Sequence, residues 1–129
     1  MDLLLDTHVF VWAVAEPHRL GRRLRQALES PDNQVVVSAV IPWEIAIKQA
    51  IGRLKFPLDL FDATIGRMGC EILPILPAHG IVAGGLPRHH NDPFDRMLIA
   101  QALTENLTLV TRDQAMLRYQ VPIFRVSGI

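Results

Sequence analysis

Five short apolar runs punctuate the chain: Leu3-Leu4-Leu5, Val35-Val36-Val37, Ile72-Leu73, Leu107-Thr108-Leu109-Val110 and Ile123-Phe124. Each is too short for a helix, and apolar residues on consecutive positions mark a strand covered on both faces. The segments between them are helical or turn-forming. Strands alternating with helices pair in parallel, because the helix carries the chain back to the edge from which the strand started, and such crossovers are right-handed. The spacing therefore predicts an α/β fold with a parallel sheet of four to five short strands flanked by helices. Ligands of such sheets bind beyond the carboxyl ends of the strands.

The connecting segments have their own signals. A helix is expected from the Asp6-Thr7 junction to about Val14, ended by Glu16-Pro17. Residues 20–28 form an amphipathic pattern with Leu20, Leu24, Ala27 and Leu28 inward and Arg22, Arg23 and Arg25 outward. Ser38 is expected to open a helix reaching Ile51, with Pro42 in its first turn or so and Gly52 as its stop. Residues 58–68 and, more briefly, 78–83 read as further helices, followed by a Gly84-Gly85-Leu86-Pro87 loop. Asp92 and Pro93 then start a helix running to about Asn106, and residues 114–118 form a last helical turn.

Four acids stand out against this frame. Leu98, Ile99, Ala102 and Leu103 follow Asp95 at helical spacing, so a carboxylate heads the inward stripe of its helix. Glu44 lies among Val40, Ile41, Ile47 and Ile51 in the same manner. Asp6 follows the first strand and Asp113 the fourth. Each has an ordinary explanation: capping for Asp6 and Asp113, a salt bridge to Lys48 for Glu44, a capping box for Asp95. Gathered at one rim, however, deprotonated carboxylates repel and persist only around a cation. A carboxylate-only donor set selects a hard ion, Mg²⁺ or Mn²⁺. No Cys/His constellation competes: His8, His18 and His79 are scattered, and the adjacent His89 and His90, which could ligate, read instead as part of a solvated loop with Arg88.

Composition narrows the partners. The 129 residues amount to one domain with a formal net charge of zero, so attraction to nucleic acid requires a local patch. Arg88, His90 and Arg96 beside the acidic helix start, with Arg112 before Asp113, are the expected patch, although Arg96 could instead pair with Asp92. Half the residues are hydrophobic and mean hydropathy is +0.23, which favours a surface covered by a partner; Trp12 and Trp43 are either core or part of that surface. The lone Cys70 fits a reducing compartment. Residues 9–15 imitate the apolar core of a signal peptide, but Asp2 and Asp6 precede them where Lys or Arg belongs, and seven residues cannot span a bilayer. A cytoplasmic protein with no membrane contact is expected.

Two phosphate-chemistry folds are disfavoured. A phosphoacceptor receiver needs an Asp ending the central strand and a Lys near the last, where this chain has Leu73-Pro74 and Arg125; an aspartyl phosphatase wants Asp-x-Asp where it has Asp6-Thr7-His8. Four motifs in order, Leu-Leu-Leu-Asp6-Thr7-His8, Trp43-Glu44-Ile45-Ala46-Ile47-Lys48 with Gly52-Arg53-Leu54, His90-Asn91-Asp92-Pro93-Phe94-Asp95-Arg96 and Leu109-Val110-Thr111-Arg112-Asp113, resemble PIN-domain ribonucleases, most closely the VapC-like toxins of type II toxin–antitoxin pairs. The resemblance implies a PIN-like three-layer fold as a single domain over residues 1–129. It also implies an Mg²⁺- or Mn²⁺-dependent endoribonuclease whose catalytic and metal-binding acids are Asp6, Glu44, Asp95 and Asp113. Thr7 and Thr111 support them, and Asp92 acts as a cap with an outer-shell role. A homodimer and a cognate antitoxin are the implied partners. The alternative is a PIN-fold module that binds RNA or protein without cutting.

Overall fold

Leu3, Leu4 and Leu5 are completely buried because they form the middle of the sheet. They make up β1 (Asp2–Leu5), which pairs in parallel with β2 (Gln34–Ser38) on one side and β4 (Thr108–Thr111) on the other. β3 (Glu71–Leu73) and β5 (Ile123–Arg125) lie at the edges, giving the order β3-β2-β1-β4-β5 with every pair parallel. The computed structural model describes residues 1–126. The interior strands are the unbroken apolar runs, whereas β3 is short and leaves Glu71 and Ile72 exposed. β4 starts at Thr108 because the amide of Leu107 still donates to the Ala102 carbonyl (2.9 Å), closing the preceding helix over Asn106. Asn106 takes the left-handed conformation (φ 56°) that its short side chain tolerates.

Six helices accompany the strands among the described residues: α1 (Thr7–Ala15), α2 (Gly21–Glu29), α3 (Val40–Ala50), α4 (Phe61–Met68), α5 (Pro77–Gly85) and α6 (Pro93–Glu105). The chain steps from β1 to β2 to β3 in one direction and returns from β3 to β4 in the other. Right-handed crossovers then put α1 to α4 on one face and α5 and α6 on the opposite one, the three layers expected. No described helix is long and apolar enough to cross a membrane.

Several expectations shift in detail. Ser38 ends β2, and its hydroxyl accepts the Val40 amide (3.1 Å), so α3 begins at Val40. Pro42 falls in the first turn, where a missing N–H has no helical partner to lose. Gly84 and Gly85, expected in a loop, lie in the last turn of α5. A 3-10 turn (Pro17–Leu20) takes Leu20 out of α2, and Gly21, at φ 78°, redirects the chain between them. On α6, Leu98, Ile99 and Ala102 are buried but Leu103 is exposed; Arg96, Ala100 and Gln101 are buried as well. Gln101 is reached by His79 of α5, whose Nε2 also pairs with Glu105 (2.9 Å) and whose Nδ1 accepts the Leu76 amide (3.0 Å). His79 therefore staples α5 to α6.

The inner face of α3 is Val40, Ile41, Glu44 and Ile45. Ile47 and Ile51, read as part of that stripe, point outward instead, Ile51 being 61% exposed. With Trp43 (58% exposed) they form an apolar line at helical spacing on the surface. The two tryptophans thus part company, Trp12 being buried and Trp43 not.

Candidate active site

β1 and β4 are neighbours, but the chain leaves β1 toward one edge of the sheet and reaches β4 from that edge. The crevice beyond their carboxyl ends is the topological switch point of the fold. Asp6 enters it directly from β1. Its amide extends the sheet by donating to the Val110 carbonyl (3.1 Å), and its Oδ1 accepts the Val9 amide (2.8 Å) as the cap of α1. Its Oδ2 accepts the Thr111 hydroxyl, and Thr111 Oγ1 in turn accepts the Asp113 amide (3.0 Å). Asp113 Oδ1 takes the Ala115 amide (2.9 Å), so Asp113 does cap the next turn as well as facing the crevice. Burial holds the Asp6 carboxyl above its ordinary pKa, outweighing the hydrogen bonds from Thr111 and Val9. Thr111→Val keeps the shape of a buried side chain but strips both groups of a partner. It is expected to cost about 2 kcal/mol, read as a lowered unfolding midpoint; a midpoint equal to wild type would show that the hydroxyl carries nothing.

The second pair of acids arrives from the helices. α3 and α6 meet over the rim, where Trp43 packs edge-on against Phe94 (5.1 Å between centroids). Glu44 is buried, with Oε1 accepting the Thr7 hydroxyl (2.5 Å) and Oε2 the Lys48 ammonium (2.6 Å). The salt bridge offered as its ordinary explanation is present. Burial alone would lower the Lys48 pKa, but the hydrogen bond and charge of Glu44, with Asp92 and Asp95, raise it. At the head of α6 the capping is done by Asp92, which accepts the Phe94 and Asp95 amides (2.9 and 3.1 Å). Asp95 makes no capping box; its Oδ2 meets His90 Nε2 at 3.2 Å.

Asp95 feels every other acid of the rim. Its carboxyl is pushed up to about 8, first by burial and then by the charges of Asp92, Asp113, Glu44 and Asp6. A site that makes one carboxylate this unfavourable is suited to a cation, and its all-oxygen donors suit Mg²⁺ or Mn²⁺. Charge is gathered here, but ready coordination is not: among the described residues no three His, Cys, Asp or Glu side chains stand as a metal-holding group. Glu44 is engaged by Lys48 and Thr7, and Asp6 by Val9 and Thr111.

The expected basic patch divides. Arg88 is exposed in the loop before α6. Arg96 is not a surface residue at all: it is 7% exposed, and its guanidinium donates to the carbonyls of Ala83, Leu86, Pro87 and His90 and to the Tyr119 hydroxyl. Its guanidinium does not pair with Asp92, because its helical position turns it into the α5–α6 junction. His90 is likewise held inward, Nδ1 against the Tyr119 hydroxyl (2.8 Å) and Nε2 against Asp95. Arg112 lies over the Trp12 ring, 5.3 Å from its centroid. Beside it a cavity of about 450 Å³ is lined by Asp6, His8, Trp12, Arg112 and Asp113. A smaller one of about 200 Å³, bordered by Thr7, His8, Val11, Lys48, Arg53 and Leu54, opens on the other side of His8. His8 and Arg53 are site-lining residues that sequence reasoning passed over. His8 was within reach, standing two residues after Asp6 in the first turn of α1, and Arg53 stands in the Gly52-Arg53-Leu54 motif without a role read for it; Tyr119 gave no signal.

The family model for the PIN domain matches residues 3–122 of this chain. Ribonuclease VapC22 of Mycobacterium tuberculosis is 32% identical to it over 130 aligned positions, covering 93% of each protein. Among solved structures, VapBC2 from Rickettsia felis, bound to a DNA fragment from its promoter, superposes with a TM-score of 0.74 at 19% identity, over 97% of this chain and 98% of that one. DNA-bound VapBC from Salmonella typhimurium superposes with a TM-score of 0.69 at 18% identity, over 97% and 98%.

Proposed function

The chain belongs to the PIN-domain family, and from that premise we propose that it is a metal-dependent endoribonuclease, the toxin of a type II toxin–antitoxin pair. The observation that carries the reading is Asp95, half-buried at the head of α6 against His90, with the charges of Asp92, Asp113, Glu44 and Asp6 acting on it. Asp6 and Asp95 would hold Mg²⁺ or Mn²⁺, with Glu44 and Asp113 completing the acidic surround. When bound, such an ion acidifies a water and offsets charge on the attacked phosphodiester. The chain's own part is positioning. Thr111 fixes the Asp6 carboxylate, Thr7 and Lys48 fix Glu44, and the His90–Tyr119 pair orients Asp95. Asp95 must give up a proton before it can serve as a ligand.

A cytoplasmic location, an antitoxin partner and a homodimer belong to the same reading. Trp43, Ile47 and Ile51 offer a line of exposed apolar surface for a protein partner. The second reading, a PIN-fold module that binds RNA without cutting, draws its support from Glu44 being held by Lys48 and Thr7. Incubation of the purified protein with a labelled RNA pool separates them. Cleavage in Mg²⁺ or Mn²⁺ that stops in EDTA is the expected result. Intact RNA in every metal tested would leave the binding module as the better account.

A further inference from the structure

With a net charge of zero, phosphate groups must be drawn by a local patch, and His90 and Arg96 are turned away from that task. The other flank of the rim is built differently. Arg19 and Arg112 both lie over the Trp12 ring, 4.9 and 5.3 Å from its centroid, and Trp12 is a wall of the cavity that contains Asp6 and Asp113. The left-handed turn at Gly21 then sets α2 so that Arg23 lies over Phe124 of β5 at 4.4 Å. Arg125, level with Thr111 in the sheet, lines one narrow cleft with Arg22 and Arg23. An arc of arginines thus leaves the acidic centre along the ends of β4 and β5. Glu16 pairs with Arg19 at 3.5 Å, with both side chains more than a third exposed, so this bridge is weak in water.

We propose that this arc is the path of the RNA backbone beyond the cut site: Arg19 takes phosphates beside Asp6 and Asp113, and Arg23 takes those further on. This rests on the ribonuclease reading and names where its substrate lies. The acidic centre repels a phosphate chain, so the chain needs cations close to the point where it enters. A guanidinium laid on an aromatic ring is held in plane while its N–H edge still faces a phosphate, which makes the rings supports for the arginines.

The test is binding of a fluorescent single-stranded RNA of about 12 nucleotides, followed by anisotropy in EDTA over a salt series. The Arg19→Gln/Arg23→Gln double variant is expected to bind about tenfold more weakly. Its plot of log affinity against log salt should flatten by about 1.4, at about 0.7 for each phosphate no longer neutralised. Arg19→Lys/Arg23→Lys should keep the wild-type slope, and Arg67→Gln, on α4 before the far edge strand, should bind as wild type. Unchanged affinity and slope in the Gln pair, an equal weakening in Arg67→Gln, or no RNA binding by wild type would each overturn the proposal. Cleavage measured alongside keeps the two claims apart. A protein that binds through the arc but never cuts removes the nuclease reading alone, whereas cutting by the Gln pair at wild-type KM removes the arc alone.

Discussion

Asp95→Asn is expected to lower RNA cleavage at least about a hundredfold, beyond the 10–100-fold usual for groups that merely support a metal ligand. In EDTA it should match wild type at about pH 4 and become more stable than wild type as the pH rises, with the full advantage reached at about pH 8. The sign follows from the raised carboxyl. In the unfolded chain Asp95 titrates near 3.8, and in the fold at about 8. Below the lower value both states hold the proton. Between the two, only the native state does, so raising the pH progressively removes stability until the folded group has ionised. Asn has no proton to lose, and the advantage of the variant should grow from about pH 4 to about pH 8. Asp6, also raised, adds a slope of the same sign that both proteins share. Mg²⁺ reverses the comparison. It must displace the Asp95 proton, so its apparent affinity for wild type should climb by up to about tenfold per pH unit toward pH 8, while the variant gains little. Thermal melts across this range, with and without Mg²⁺, decide the matter. Parallel pH profiles and intact cleavage in Asp95→Asn would reduce Asp95 to a helix-start acid.

Arg96→Met should unfold the protein on the order of 10 °C earlier, through a loss of at least about 3 kcal/mol. The guanidinium satisfies the Ala83 and Pro87 carbonyls at 2.9 Å, Leu86 at 3.1 Å and the Tyr119 hydroxyl at 3.1 Å. Those carbonyls belong to the last turn of α5 and the segment leaving it, so the apolar replacement strands several part-buried and buried acceptors at once. Arg96→Lys should recover little, because one ammonium cannot reproduce a planar fork aimed at several oxygens. Cleavage should fall in step with the folded fraction, and further where Tyr119 and His90 no longer steady Asp95. A variant with the wild-type midpoint and weakened RNA affinity would return Arg96 to the substrate surface.

How much of this is legible in the sequence differs from element to element. β1 and β2 are readable because strands covered on both faces are apolar at every position, and Asp6 is readable as the residue that ends such a run. Asp95 is readable because the helical period places Leu98, Ile99 and Ala102 behind it. α3 is not: its apolar residues lie on both sides, so the period has no unique phase, and Ile47 and Ile51 are misplaced for that reason. Arg96 is misread because a charged residue beside an acidic motif looks like surface. Partners 6 to 23 residues away in the chain, His90, Pro87, Leu86, Ala83 and Tyr119, show why it is inside. His90 fails likewise, its Tyr119 partner lying 29 residues on.

The pairing of Asp6 with Thr111 joins residues 105 apart in sequence, and β1 lies against β4 in the middle of the sheet. On the ribosome, β1 emerges ahead of β2, β3 and the helices α1 to α6 and waits through all of them for its second neighbour. Until β4 and the Asp113 turn have followed, the nascent chain has half a sheet, an uncovered strand edge and no complete acidic centre. A folding order this dependent on distant partners is slow, and it means that the machinery making such a nuclease is not exposed to a working one until nearly the whole domain has been synthesised.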